Sequence, residues 1–282
     1  MAARFLTDKR RYWLLILPAL AVMLVFYIWP LVDIFAISVT EPKIGVENYA
    51  DMFDSRPIRK SFFITFWISA VTTVGCLTFG YIVSYAIYNA NHRFVGLMIA
   101  LVLLPFWLSV LVRSFSWIVL LGRSGVVNES LRGIGLIDEP LALMHNEFGV
   151  IVAMIHVMLP FAILPIMANM KGINPAYVDA ARGLGASEFK AFLAVYFPQT
   201  LPGVLSGALL VFVLSLGFYI TPALLGGGRV LMISEYITYQ IQEFLNWGLG
   251  TALSVALLVA TATVILAASR FVDLRRTLLE RG

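Results

Sequence analysis

Six long apolar runs constrain the fold of this 282-residue chain more than any other feature. Each run reaches the length of about 20 residues that a helix needs to cross a bilayer. Backbone polar groups in lipid must be satisfied within each span, and short segments of alternating polarity are missing, so we expect helices. The sequence predicts an all-α, polytopic membrane protein with six transmembrane helices, at residues 12–32, 61–88, 94–121, 148–170, 203–221 and 247–269.

The composition agrees with a membrane chain. Hydrophobic residues make up 60% of it and charged residues 13%, whereas a soluble domain carries about 25% charged residues. The single cysteine, Cys76, excludes an internal disulfide framework, and with three histidines the chain offers few metal ligands. Four basic residues, Arg4, Lys9, Arg10 and Arg11, precede an apolar run too long for a signal peptide. We therefore expect a retained membrane anchor.

The basic residues are distributed unevenly between alternate loops. With both termini inside, twelve Lys and Arg residues fall in inner segments and seven in outer ones. Because short cytoplasmic loops carry the excess of Lys and Arg, this asymmetry predicts that both termini are cytoplasmic. The pI of about 9.2 is then a sign of topology. Nucleic-acid binding would require a basic face on a folded soluble domain, which the sequence does not offer.

The outer loops combine glycine clusters with acidic side chains. The first loop, 40–60, predicts a short helix at about 47–53, while the second, 122–147, and the third, 222–246, contain glycines that permit sharp bends. We expect gates, partner contacts or plain surface turns there. The loop acids that can dock a partner, attract cations or simply be solvated are Glu129, Asp138, Glu139, Glu235 and Glu243.

The inner segment 171–202 lies between the fourth and fifth runs and has the pattern of a folded element. Asn174 followed by Pro175 predicts a helix start, and Gly185 predicts its end. Ser187 then predicts the start of a second helix that runs toward Pro198. We expect a short helix, a glycine break, and a helix that returns into the membrane.

The middle of this segment resembles the Glu-Ala-Ala (EAA) signature of ABC importer permeases. In that signature, Glu-Ala-Ala stands three residues before a glycine, and Ile-x-Leu-Pro follows nine residues later. The chain keeps the spacing and replaces Glu by Asp179, Ile by Val195 and Leu by Phe197. Stretches 103–117, 125–128, 159–165 and 198–228 resemble permeases of spermidine/putrescine importers, and the resemblance extends over about 12–270.

The resemblance implies the MetI-like permease fold of type I ABC importers and a place in the bacterial inner (cytoplasmic) membrane. It implies as partners a second homologous permease, an ATPase homodimer, a periplasmic substrate-binding protein and membrane lipid, and no nucleic acid. ATP and Mg belong to the partner ATPase, so we expect no cofactor on this chain. The solute is expected to be a polyamine or related cation, with an amino-acid-like or phosphonate compound as the alternative.

A short helix along the membrane surface can transmit force if a cytosolic ATPase grips it. Small residues permit close approach, glycines permit the turn, and charged residues provide polar edges. The residues that we expect to couple to the ATPase are Asp179, Ala180, Ala181, Arg182, Gly183, Gly185, Ser187 and Pro198.

Polar and aromatic residues in the spans are candidates for the solute path. Arg113 would cost at least about 2.5–3.5 kcal/mol at mid-span, so it is either an anchor or a path residue. Asp33 is either interfacial or an acid that guides a cation. Aromatic faces attract ammonium groups but also form interfacial belts; the candidates are Phe106, Trp107, Trp117, Phe218 and Tyr219. His156 is expected to hydrogen-bond between helices, and Pro160 and Pro165 to bend their helix.

The sequence contains no P-loop, no zincin helix and no nucleophile elbow, so we expect no catalytic residues and no metal site. An ion-coupled secondary transporter, an intramembrane enzyme and a non-transporting anchor for an ATPase are the alternatives. The predicted organisation is an N-terminal tail, first helix and outer loop at 1–60, a permease domain at 61–271 with the coupling loop at 171–202, and a cytoplasmic tail at 272–282.

Overall fold

The computed structural model describes Trp13 and residues 16–279, with side chains up to Arg270. Arg4, Lys9, Arg10 and Arg11 of the predicted anchor lie outside the described residues, as does the start of the first apolar run. In the described part of the chain every regular element is a helix. Six stretches are long and apolar enough to cross a membrane, as predicted: Ile16–Thr40, Arg56–Asn89, Val110–Gly133, Glu147–Lys171, Glu188–Leu216 and Trp247–Arg270.

We number the helices in chain order. They are α1 (Ile16–Thr40), α2 (Glu47–Asp54), α3 (Arg56–Asn89), α4 (His92–Leu103), α5 (Val110–Leu121), α6 (Val126–Gly133), α7 (Glu147–Lys171), α8 (Ala176–Gly183), α9 (Glu188–Leu216), α10 (Ile220–Gly226), α11 (Ile233–Gln242) and α12 (Trp247–Leu279). Helix α2 confirms the short helix predicted in the first outer loop.

The third predicted span, 94–121, is wrong as a single helix. Helix α4 gives way to a 3₁₀ turn at Leu104–Trp107, and Leu108 and Ser109 are extended, with ψ of 138° and 140°, before α5 begins. Pro105 cannot donate a backbone hydrogen bond, which favours a break at this point. The apolar run therefore forms two helices with a bend between them.

Two helices contain a π-helical turn directly before an aromatic residue that is followed by proline. Leu24–Ile28 in α1 precedes Trp29 and Pro30, and Phe192–Tyr196 in α9 precedes Phe197 and Pro198. A proline ring clashes with the carbonyl four residues earlier, and the wider π turn relieves that clash. The first span thus continues to Thr40, beyond the predicted end at 32, and the fifth runs from Glu188 to Leu216 instead of 203–221.

The third outer loop, 222–246, is more structured than simple surface turns. Most of it is helical, in α10 and α11. Val230 and Met232 between these helices and Ile233 at the start of α11 are buried. Gly227 and Gly228 adopt φ of +56° and +73°, so the predicted glycine bend is present. Apolar residues after the bend explain why the segment folds back into the protein.

The described coordinates divide into two compact units. The smaller one comprises the described residues up to Arg56 together with Ile237–Val259. Within it the amide of Asn48, on α2, donates to the backbone carbonyls of Ser38 and Glu41 at 3.0 and 2.7 Å. Gly248 lies against the Glu41 carbonyl, where a Cβ atom has no room.

The larger unit, Pro57–Tyr236 with the described residues from Ala260 onward, is built around α7. Helix α9 packs along α7, and a Cβ atom at Gly203 would collide with Asn169. Helix α3 presents a buried row of small residues to α7; Ser84 Oγ donates to the Ile163 carbonyl at 3.1 Å. Small residues allow membrane helices to approach closely and so increase van der Waals contact between them. This contact matters in lipid, where no hydrophobic driving force brings helices together.

Candidate coupling segment and membrane path

Helix α8 begins where the sequence predicts. The side-chain oxygen of Asn174 accepts a hydrogen bond from the Ala176 N–H at 3.0 Å, and Pro175 lies at φ −60°. This arrangement satisfies one of the free N–H groups of the first helical turn. The predicted start of the short helix is therefore confirmed.

A Schellman motif ends α8 at Gly185. Gly185 has φ +87°, its N–H donates to the Arg182 carbonyl at 2.9 Å, and the Ala186 N–H donates to the Ala181 carbonyl at 3.1 Å. Only glycine adopts this left-handed conformation without steric cost. The glycine break is thus a defined turn that redirects the chain from α8 into α9.

Ser187 starts the next helix. Its Oγ accepts a hydrogen bond from the Lys190 N–H at 3.4 Å, and Glu188 is the first residue of α9. The helix continues through the π turn and past Pro198 to Leu216. Ser187 and Pro198, two of the expected coupling residues, therefore lie at the start of the fifth span and within it. The loop between the spans is shorter than the predicted 171–202.

The surface of α8 combines small, apolar and charged groups, and all of its residues are exposed or half-buried. Arg182 pairs with Asp179 within α8 and with Glu188 in the first turn of α9, each at 3.3 Å, so the second pair links the two helices. Beyond the helix end, Leu184 is 90% exposed and Phe189 71% exposed. A segment between two spans thus presents apolar side chains beside Ala180 and Ala181.

The path candidates lie on separate segments. Phe106 and Trp107 occupy the 3₁₀ turn between α4 and α5. The rings of Phe106 and of Phe161 on α7 pack with their centroids 4.9 Å apart, whereas Trp107 is 90% exposed. Asp33 lies on α1 in the smaller unit and is exposed. Of the seven candidates, six therefore lie in the larger unit and Asp33 lies in the smaller one.

A hydrogen bond joins the two segments that carry the remaining candidates. Ser114 on α5 and Thr221 on α10 are buried and 3.0 Å apart, which brings the 113–117 stretch close to 218–221. Arg113 is 9% exposed, and its Nε has no hydrogen-bond partner among the described residues. Phe218 packs between two core clusters, whereas Tyr219 is 40% exposed.

His156 has the role that the sequence predicts. The indole N–H of Trp117 donates to His156 Nδ1 at 3.2 Å, so the imidazole links α7 to α5. Pro160 and Pro165 both lie inside α7. Among the described residues, no group of three or more His, Cys, Asp or Glu side chains is placed to hold a metal ion.

One candidate among the loop acids is not on the surface. Glu235 is only 2% exposed, so it does not belong with the solvated acids of the predicted outer loops. Glu235 lies in the first turn of α11, directly after the buried residues Val230, Met232 and Ile233, so this turn is inside the protein. Glu129, Asp138, Glu139 and Glu243 are exposed.

Sequence reasoning missed two polar residues that order the structure. Asn128, on α6, is fully buried and bonds through Nδ2 to the Gly122 and Leu141 carbonyls and through Oδ1 to the Leu141 N–H. Thr65, on α3, accepts a hydrogen bond from the Ile233 N–H at 2.8 Å. No sequence signal marks either residue, because each partner lies in another loop or helix.

The profile of a family described as "Binding-protein-dependent transport system inner membrane component" matches residues 59–278. The chain belongs to this family. As an inner membrane component of a binding-protein-dependent transport system, it is a permease subunit of an ABC importer and a multi-pass protein of a bacterial inner membrane. Subunits of this family are the non-catalytic membrane part of such importers.

Relatives of this transport-system component support the predicted spermidine/putrescine type. A spermidine/putrescine transport system permease protein, PotB, of Haemophilus influenzae is 32% identical over 223 residues, or 79% of this chain and 77% of the relative. PotB of Escherichia coli is 30% identical over 71% of this chain and 72% of its own length. The resemblance seen in the sequence is thereby confirmed.

A solved structure supports the fold of this transport-system component. A chain of a bacterial ABC transporter that imports the acidic polysaccharide alginate superposes with a TM-score of 0.74. The match covers 95% of this chain and 98% of the other, at 21% identity. The predicted permease fold of ABC importers is therefore confirmed.

Proposed function

We propose that this permease subunit forms, together with a second related permease, the membrane path for a small organic cation of the polyamine type. The observation that carries the proposal is the similarity to PotB over more than two thirds of both chains. A periplasmic binding protein would deliver the solute, and a separate ATPase homodimer would supply ATP and Mg chemistry. The alternative solutes are amino-acid-like and phosphonate compounds.

We further propose that α8 is the helix to which the ATPase docks. Contiguous exposed apolar groups on a soluble-facing segment mark an interaction surface. Leu184 and Phe189 are exposed on either side of the turn that follows Ala180 and Ala181, and the exposed Arg182–Glu188 ion pair links α8 to the start of α9. Movement of α8 would then be passed directly to the fifth span.

The proposed orientation follows from this role. If α8 meets a cytosolic ATPase, both termini are cytoplasmic and the segments 40–60, 122–147 and 222–246 face the binding protein. The excess of basic residues in the inner segments supports this orientation. We also propose that residues 61–271 form the permease domain.

Within the path, aromatic side chains would provide faces for ammonium groups. Trp107 and Tyr219 are exposed on this subunit, which leaves them free to meet a solute or the second permease. Asp33 would guide a cation from the outside. The burial of Arg113 supports an anchoring role, since a free guanidinium in the path would repel a cationic solute.

Uptake by the complete importer tests the proposed solute. Proteoliposomes with both permeases, the ATPase and the binding protein should accumulate labelled spermidine or putrescine only with ATP. A binding protein whose thermal stability responds only to sugars, anions or phosphonates would overturn the polyamine assignment. Accumulation driven by an ion gradient without ATP would overturn the ABC mechanism, and ATP hydrolysis without uptake would indicate a mere anchor.

Charge placed on α8 tests docking. The double variant Ala180→Arg with Ala181→Arg, and separately Leu184→Arg, should lose co-purification with the ATPase and lose uptake. Leu136→Arg is the matched control, because Leu136 is 68% exposed in a loop on the opposite side of the proposed topology. Retained ATPase binding in the α8 variants would remove the basis for the docking proposal.

A further inference from the structure

A groove of about 560 Å³ lies between three segments of the larger unit, namely the turn after α5, the stretch before α7 and the turn after α10. Its floor is apolar. Leu121 is 3% exposed, and Ile118, Leu143 and Met144 pack against the same buried cluster. All three segments border outer loops of the proposed topology, so the groove faces away from the side on which the ATPase would dock.

The rim of this groove is basic. Arg123, His145 and Arg229 line it and are exposed, whereas no acidic residue lines it. Neither arginine forms an ion pair in the described part of the chain, where both ion pairs involve Arg182. The three outer loops together contain ten acidic residues and seven Lys and Arg residues. The groove is therefore a positive site within segments that are otherwise acidic.

Hydrogen bonds hold the walls of the groove in place. The Asn128 amide donates to the Gly122 carbonyl at 2.9 Å and to the Leu141 carbonyl at 3.1 Å, which ties the first wall to the second. The His145 N–H donates to the Leu225 carbonyl at 3.0 Å, which ties the second wall to α10. The shape of the groove thus exists before any partner binds.

A glycine allows the second and third walls to approach closely. A Cβ atom at Gly227 would collide with the imidazole of His145, so this ring lies directly against the backbone of the turn. His145 itself has φ +59°, which is uncommon for a residue with a side chain. Arg229 follows in the same turn, and its N–H donates to the Gly226 carbonyl at 3.1 Å. The imidazole and the Arg229 guanidinium therefore border one groove, although they are distant in the sequence.

The charge of the groove determines the class of occupant. A polyamine solute is a cation, which two unpaired guanidinium groups would repel. Planar guanidinium groups instead recognise carboxylates through paired hydrogen bonds. Because the outer loops are proposed to face the binding protein, an acidic surface segment of that protein matches the groove in both charge and position.

We propose that this basic groove is a docking site for acidic side chains of the periplasmic binding protein. The proposal rests on the proposed function, because it requires the outer loops to face that protein. Arg123 and Arg229 would pair with carboxylates of the binding protein, and the apolar floor would exclude water from these pairs, which strengthens them. None of the residues that line the groove is a candidate for the solute path.

The affinity of the solute-loaded binding protein for the complete importer in nanodiscs tests the groove. The double variant Arg123→Glu with Arg229→Glu places carboxylates opposite the carboxylates of the partner. At physiological ionic strength it should raise Kd about tenfold or more. The wild-type Kd should also rise with KCl concentration, and this dependence should be weaker in the double variant.

Arg59→Glu with Arg132→Glu is the matched control. Both residues are exposed in the outer loops and do not line the groove, so this variant changes the net charge by the same amount. Its Kd should stay close to the wild-type value, because separated surface charges are largely screened at physiological ionic strength. An equal rise of Kd in both double variants, or no rise in the groove variant, would overturn the docking site.

A cross-link identifies what enters the groove. Cys76 is the only cysteine of the chain and is buried, so Arg229→Cys provides a single accessible thiol for a benzophenone probe. Illumination should join the labelled subunit to the binding protein, whereas the same probe on Arg132→Cys should not. Cross-linking to lipid alone, or to the second permease alone, would overturn the proposed occupant.

Three further outcomes separate this proposal from the proposed function. ATP-driven polyamine uptake by the groove variant with an unchanged dependence on the binding protein overturns the docking site alone. Loss of affinity in the groove variant, with a binding protein that accepts only a non-amine solute, supports the docking site and overturns the polyamine assignment alone. Failure of a membrane-impermeant thiol reagent to label Arg229→Cys in spheroplasts would overturn the proposed orientation and the docking site together.

Discussion

Trp117 on α5 and His156 on α7 are joined by a hydrogen bond of 3.2 Å, and their rings meet edge to face with centroids 5.7 Å apart. Both residues lie in membrane spans, where a polar side chain requires a partner within the protein. The pair therefore connects the helix that carries Arg113 with the central helix of the larger unit.

The Trp117–His156 hydrogen bond should be measurable by a double-mutant cycle. Trp117→Phe and His156→Phe should each lower the melting temperature of the purified subunit in detergent, and the cycle should give a coupling free energy of about 0.6 kcal/mol. The control cycle combines His156→Phe with Trp67→Phe, whose indole bonds to Glu147. Equal coupling in both cycles would contradict the assigned bond.

Close packing of α9 on α7 should make Gly203 intolerant of a side chain. A Cβ atom there would lie 2.6 Å from Asn169 Cβ and 3.0 Å from the Pro165 carbonyl oxygen. Gly203→Val should therefore destabilise the subunit by about 1–3 kcal/mol in a denaturant titration. Gly96→Val is the control, because nothing lies within 4 Å of that position on α4. Similar losses in both variants would argue against the packing explanation.

The Schellman turn should depend on glycine at 185 and not at 183. Gly185→Ala forces a Cβ atom into φ +87°, at a cost of about 1 kcal/mol, and should reduce ATP-driven uptake by displacing α8. Gly183→Ala lies within α8, where no atom of this chain is within 4 Å of an added Cβ atom, and should leave the turn intact. Uptake assays on the reconstituted importer compare the two; a stronger defect in Gly183→Ala would be inconsistent with the turn.

Asn128 should be essential for the fold of the 122–141 segment. Asn128→Leu keeps the branched shape of the side chain but leaves the Gly122 carbonyl and both backbone groups of Leu141, all of them partly buried, without their partner, at about 1–3 kcal/mol in total. Proteolysis of this segment should accelerate. Asn91→Leu is the control, because Asn91 makes an exposed cap at the start of α4. Unchanged protection in Asn128→Leu would refute the assignment.

Much of the coupling segment could be predicted from local pattern. Asn174, Pro175, Gly185 and Ser187 act within a few residues of their own positions, so their hydrogen bonds follow from spacing along the chain. The break between α4 and α5 could not be placed in the same way. Hydropathy is continuous through 94–121, and only the backbone geometry around Pro105 separates the two helices.

The burial of the polar candidates could not be predicted from the local sequence. Arg113 stands in apolar sequence and Glu235 in a predicted loop, and both are buried. The hydrogen bond between Ser114 and Thr221 spans 107 residues and brings two stretches together that no periodicity relates. Burial of a polar group depends on its neighbours in space, which sequence order does not reveal.

The order of apolar runs, the basic bias of alternate loops and the spacing from Asp179 to Pro198 were enough to determine a six-span permease with a helical segment between the fourth and fifth spans. These features act over one helix length, through lipid solvation and backbone hydrogen bonding. Only the tertiary structure decided which polar side chains are buried and that Arg123, His145 and Arg229 border one groove. Their meeting depends on how the segments after α5, before α7 and after α10 pack, a long-range outcome of close contact between helices.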